Sequence, residues 1–138
     1  MISSNGEPQK QFAPKEPALR TLAMPADANV NGDIFGGWVL SQMDLAGGIV
    51  AKQKAGGRVA TVAVDAMKFI RPVHIGDVLC VYAQIEHIGR SSIAVRIECY
   101  VLRGHINSKE KVTEALYTYV ALGPDSRPKD ISQLNCRT

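Results

Sequence analysis

The stretch ADANVNGDIFGGWVLSQMDLAGGIVAKQKA, residues 26–55, divides into a loop rich in Asn, Asp and Gly and a helical run from about Gly36 to Lys54. Gly56 and Gly57 stop the helix. Spacings of three and four place Gly37, Ser41, Asp44, Gly48, Ala51 and Ala55 on one face, and apart from Asp44 that face is small. Something can approach it closely. Val39, Met43, Ala46 and Val50 form an apolar stripe, and Trp38, Leu45 and Ile49 form another, so the helix is expected to be enclosed on most sides by a sheet. A carboxylate on such a helix, near a start whose backbone N–H groups are free to bind an oxygen, suits acyl-transfer chemistry. The competing reading is structural: Asp44 caps a neighbouring loop or pairs with Arg or Lys.

Working outward, Ala18 to Met24 reads as a short strand before the loop, and four long strand patterns follow the helix. Val59 to Ile70 ends at Arg71-Pro72, because proline cannot extend a ladder, and residues 74–77 then make a turn. From Asp77 to Ile88, Leu79, Val81, Ala83 and Ile85 alternate with Cys80, Tyr82, Gln84 and Glu86, and Gly89-Arg90-Ser91 turns the chain. Ile93 to Val101 alternates in the same way, and a last strand is expected from about Lys111 to Leu122 after a polar link over residues 104–110. One long helix preceded by a short strand and followed by an antiparallel meander is an α+β arrangement, a curled sheet around a central helix: the hotdog fold. Such a sheet ends in exposed edges, so pairing with a second copy is expected.

A chain of 138 residues with 46% hydrophobic content makes one domain with its own core. Residues 1–17 read as a flexible lead-in, residues 18–122 as the domain and residues 123–138 as a tail. Cys80, Cys99 and Cys136 have neither zinc spacing nor an even count for a disulfide framework, so no metal is expected and the cysteines fit a reducing compartment. No apolar run approaches the roughly 20 residues of a membrane span, and the N-terminus lacks a signal peptide's apolar centre. A cytoplasmic protein is the expectation, with no membrane partner. The net charge of +3 is modest and dispersed, which gives nucleic-acid binding little support.

The segments LRTLAMPADANVNGDIFGGWVLSQMD, GRVATVAVDAMKFIRPVHIGDV, GRSSI and TEALYTYVAL cover nearly all of residues 18–122, and in their order and spacing the chain resembles the YciA-type acyl-CoA thioesterases of the hotdog superfamily. The resemblance implies hydrolysis of acyl-CoA to free fatty acid and coenzyme A, with Asp44 catalytic on the central helix. It implies that Asn29, from the loop before the helix, faces Asp44 of the other subunit of a homodimer, and that the dimers assemble further as a trimer of dimers. It places the thioester carbonyl at the helix start, Gly36 and Gly37. The turn Gly89, Arg90, Ser91 and Ser92 would line the path of the coenzyme, with Arg71 and Lys68 as further basic candidates, although isolated surface cations are most simply solvated. No cofactor is expected, since coenzyme A is part of substrate and product.

The chemistry these residues suit can be stated independently. Thioester hydrolysis needs an activated water or an attacking carboxylate, and donors for the oxygen that becomes negative. Asp44 supplies either of the first two and the Gly37 N–H the third, while the Asn29 amide can hold water or carbonyl. Without the resemblance, Asn29 reads as an ordinary turn residue. Thr61 offers a further hydroxyl, though a threonine in a strand is most simply a β-branched sheet former. Two other activities use such a pocket. A hotdog dehydratase of acyl thioesters needs a suitably placed proton-transfer group, and His74, His87 and His105 all lie away from the helix and its entry loop. A non-catalytic acyl-CoA binding module needs an output element that neither short tail resembles.

Overall fold

The computed structural model describes residues 11–104 and 108–136; the expectations for residues 1–10, for His105 and for the Cys136 side chain lie outside them. Strand β1 (Leu19–Leu22) leads through a short 3-10 turn, Pro25–Asp27, into helix α1 (Gly36–Ala55), and β2 (Val59–Phe69), β3 (Val78–Ile88), β4 (Ser92–Arg103) and β5 (Ser108–Ala121) follow. The strands form one antiparallel sheet in the order β1-β3-β4-β5-β2. α1 packs against its inner face, which is the expected hotdog arrangement. Gly56 ends the helix in the left-handed region, at φ 70°, where its N–H closes the last turn on the Lys52 carbonyl.

The core lies between α1 and the central strands. Val39, Met43 and Ala46 of the helix meet Val81, Ile93, Val95, Ile97 and Val101, all buried. Full burial of each large aliphatic side chain is worth about 1.5–3 kcal/mol, so this layer fixes the helix on the sheet. Gly47 belongs to the buried face too, although a glycine gives no apolar signal in the periodicity.

Two expectations are corrected. The helix is not enclosed on most sides: Leu45 and Ile49 remain 55% and 43% exposed, because a sheet reaches only one side of a helix and the opposite stripe is left bare in a single chain. The last strand begins at Ser108 rather than near Lys111, since the polar residues after the turn still pair with β4, Arg103 opposite Ser108. Segments 11–17 and 123–136 both make contacts to the sheet. Gln84 exchanges hydrogen bonds with the backbone of Gln11 and Ala13, and Ile131 is buried with its N–H donated to the Arg90 carbonyl.

The sheet ends differently on its two sides. β1 is short, whereas β2 is an 11-residue edge on which Val62, Val64 and Phe69 are exposed. Two bulges bend β2, and Ala66, in the second, takes a left-handed φ of 54°.

Candidate active site

Asp44 is half-buried on α1 above the end of the sheet where β2 and β5 pair. Its Oδ1 accepts two hydroxyl protons, from Thr61 Oγ1 of β2 at 2.6 Å and from Tyr119 Oη of β5 at 3.2 Å. Thr61 therefore does more than form sheet. Among the described residues Oδ2 accepts no hydrogen bond and no ion pair involves Asp44, so the structural reading of this carboxylate as an Arg or Lys partner finds no support. An open groove of about 310 Å³ runs beside it, lined by Asp44, Leu45, Gly48, Ile49, Lys52, Val59, Thr61 and Tyr119. Of the small helix face expected from the periodicity, only Asp44 and Gly48 line the groove, Gly48 leaving room next to the carboxylate, while Leu45, Ile49 and Lys52 supply the rest of the helix wall and Ala51 and Ala55 are buried.

Tyr119 is a site residue that the sequence reading does not single out. Its one hydroxyl proton is shared between the Asp44 carbonyl, at 3.0 Å, and Oδ1, and burial, reinforced by the Asp44 charge, holds the phenol well above its ordinary pKa. It remains a protonated donor throughout the neutral range. The available signal is the inward alternation of Tyr117 and Tyr119 in TEALYTYVAL, because a buried tyrosine must find a partner for its hydroxyl.

Asn29 sits in the entry loop. Its Oδ1 accepts the N–H groups of Asn31 at 2.9 Å and Asp33 at 3.1 Å, and its own N–H is donated to the Asp33 carbonyl at 2.7 Å. Two backbone donors on one side-chain oxygen fix the amide orientation, which leaves Nδ2 as a donor with no partner among the described residues. At the helix start, the N–H groups of Gly36 and Gly37 likewise lack backbone partners among the described residues, and a Cβ at Gly37 would meet open space. A Cβ at Gly36 would touch the Phe69 ring at 3.5 Å.

The chain thus gathers Asp44, Thr61 and Tyr119 in one place, while Asn29 lies in the entry loop and Gly36 and Gly37 at the helix start, none of them in the groove wall. Gly37 precedes Asp44 by seven residues, about 10 Å of helix rise. Gly89, Arg90 and Ser91 form the β3–β4 turn and Ser92 opens β4, all outside the groove wall; Arg90 is 87% exposed at its side chain and lies 3.7 Å from Asp130. Arg71, also outside that wall, donates to the Lys111 carbonyl at 3.3 Å. His74 leans on the entry loop, 3.5 Å from Asp33, and not on Asp44. Among the described residues no cluster of His, Cys, Asp and Glu could hold a metal ion, and no helix is long and apolar enough to cross a membrane.

Known proteins share this fold and much of this sequence. The model of the thioesterase superfamily matches residues 31–106, more than half of the chain. The acyl-CoA thioester hydrolase YciA of Salmonella typhimurium is 53% identical over 134 residues, 95% of this chain and 97% of that protein. The hexameric thioesterase of Yersinia pestis superposes with a TM-score of 0.80 at 50% identity, covering 86% of this chain and 97% of its own. A hexameric hotdog fold thioesterase of Campylobacter jejuni gives 0.83 at 41% identity, over 88% and 94%. With fold, length and sequence all in agreement, the chain belongs to the thioesterase superfamily, among the YciA acyl-CoA thioester hydrolases.

Proposed function

We propose that this enzyme hydrolyses acyl-CoA at a site made by two subunits, with Asp44 and Thr61 from one and Asn29, Gly36 and Gly37 from the other. The observation that carries the reading is the Asp44 carboxylate itself: one oxygen takes two hydroxyl donors, the other has none among the described residues, and the groove lies alongside. The thioester carbonyl rests at the helix start, where the Gly37 N–H, and behind it Gly36, stabilises the oxygen as it becomes negative. The Asn29 Nδ2 donor steers the carbonyl or the water. The second Asp44 oxygen either takes a proton from water, which adds to the carbonyl carbon, or attacks that carbon itself; in both routes the C–S bond breaks, coenzyme A leaves as its thiol, and water supplies the second oxygen of the acid.

The separation of Asp44 from the helix start supports a shared site. Donors about 10 Å apart along one helix do not converge on a single thioester, whereas a second copy can bring its helix start opposite Asp44. The surface available for that copy is the long β2 edge with Val62, Val64 and Phe69, continued by Leu45 and Ile49. A homodimer joined along this edge is the minimal active unit, and a trimer of such dimers fits the hexameric relatives. Acyl-CoA binds without a further cofactor, its phosphates near Arg90, Arg71, the turn residues Gly89 and Ser91, and Ser92.

The test is a panel of straight-chain acyl-CoA thioesters from acetyl to palmitoyl, with free thiol release followed for the parent and for Asp44→Ala. Thiol release by the parent that Asp44→Ala abolishes supports the proposal. Equal release by both, or none by the parent across the panel, contradicts it.

A further inference from the structure

Tyr117 and Tyr119 form a natural internal control. Both project from β5 toward α1, both are almost fully buried, and their rings stack with centroids 6.3 Å apart and planes 19° from parallel. Each hydroxyl donates to a helix carbonyl one turn from the other's, Tyr117 to Leu40 at 2.8 Å and Tyr119 to Asp44 at 3.0 Å. The difference is at the second acceptor: only Tyr119 also reaches the Asp44 carboxylate.

That reach depends on a glycine. A Cβ at Gly47 would collide with the Tyr119 hydroxyl and stand 2.7 Å from Ile97 Cδ1, so the side-chain-free position lets the phenol pass under the helix. With Thr61 on the same oxygen at 2.6 Å, the carboxylate is tied from two strands, and its second oxygen is the one left to act.

We infer that Tyr119 is a positioning residue for thioester hydrolysis, holding the Asp44 carboxylate in one rotamer, with Gly47 as the residue that admits it. The inference rests on Asp44 acting chemically, as proposed above. A carboxylate that swings between rotamers spends only part of its time aligned, which lowers turnover without weakening substrate binding.

The experiment measures kcat and KM on the full-length protein, with the straight-chain acyl-CoA that the parent turns over fastest, for Tyr119→Phe, Tyr117→Phe, Asp44→Asn and the double variant Tyr119→Phe with Asp44→Asn. Thermal melting accompanies each. Tyr119→Phe should lower kcat about tenfold with KM within about twofold, as expected for loss of one hydrogen bond to a charged group. Tyr117→Phe, the same deletion beside it, should keep kcat within about twofold, and Tyr119→Phe should cost nothing further in the Asp44→Asn background. A fall of the same size in both single tyrosine variants would reveal a packing role and overturn the inference. So would parental kcat in Tyr119→Phe, or an undiminished Tyr119→Phe effect in the double variant relative to Asp44→Asn alone. An inactive Asp44→Asn beside a fully active Tyr119→Phe removes only the positioning role; a fully active Asp44→Asn removes the catalytic reading beneath it.

Discussion

Asp44 and Asp77 are two carboxylates on one small fold, and their surroundings differ in every respect that matters for chemistry. Asp77 is 3% exposed and saturated: Arg103 Nη2 lies 2.8 Å away, Arg103 Nε 3.0 Å and the His74 N–H 2.8 Å. Burial would raise its pKa, but the Arg103 hydrogen bonds, the His74 N–H and the Arg103 charge outweigh that and hold it below the ordinary carboxylate value. Its work is architectural, since it closes the turn before β3, and that turn carries the entry loop through the Ile34 N–H on the Val73 carbonyl. Asp44 has no ion-pair partner among the described residues, takes neutral donors on one oxygen only, and borders a groove. A carboxylate saturated with hydrogen bonds holds structure; one left partly unsatisfied beside an opening is available to react.

Neutralising each carboxylate separates these roles. Asp44→Asn should lower kcat about a hundredfold or more while leaving the melting temperature within a few degrees, measured by thiol release and thermal unfolding. Near-normal turnover would make Asp44 a second Asp77.

Asp77→Asn should do the reverse, destabilising the fold by about 2 kcal/mol in urea unfolding with kcat largely kept. The figure sits below the ~3–5 kcal/mol of a fully buried pair because Arg103 is 35% exposed at its side chain and solvent screens it. The pH dependence has a definite sign. A folded pKa that is depressed stabilises above the unfolded value of about 3.9, and that stability is lost as pH falls through the folded value. The gap between parent and Asp77→Asn should therefore be full at neutral pH and close below about pH 4. A gap unchanged in acid would mean that the Asp77 charge is not what holds the turn.

A third, smaller effect concerns a cation without Arg103's partners. Arg90→Ala should raise KM for acyl-CoA about threefold to tenfold with kcat kept, and less so in high salt, because a phosphate contact remote from the thioester binds ground and transition states alike. Equal KM values at low ionic strength would take Arg90 out of the binding surface.

Regular patterning brings much of this into view from the sequence. The helix bounds and the alternating strands follow from periods that local chain geometry imposes, and the structure shows both; of the small face around Asp44 only Gly48 borders the groove with it. What periodicity does not reveal depends on contacts distant in sequence. Thr61 and Tyr119 lie 17 and 75 residues from Asp44, and only the β2–β5 pairing brings them to one oxygen. Gly47 looks like a small residue among others until Tyr119 needs its space. Asp77 reads as a turn residue because its partner, Arg103, is 26 residues away on β4. Leu45 and Ile49 read as covered by their apolar spacing, yet in one chain they are bare, because spacing along a helix does not say how many of its sides a sheet can reach.

The central claim, that Asp44 works with Asn29 of the other subunit, is tested most directly by mixing. Asn29→Ala and Asp44→Ala proteins should each be nearly inactive alone. Denatured and refolded together in equal amounts, about half the dimers are mixed, and each mixed dimer holds one site with both changes and one with neither, so activity should return to about a quarter of the parent rate. Each variant refolded by itself is the control and should stay inactive. No recovery, with mixed dimers verified by mass spectrometry, would place both residues in one subunit's site or remove Asn29 from catalysis, and would contradict the account.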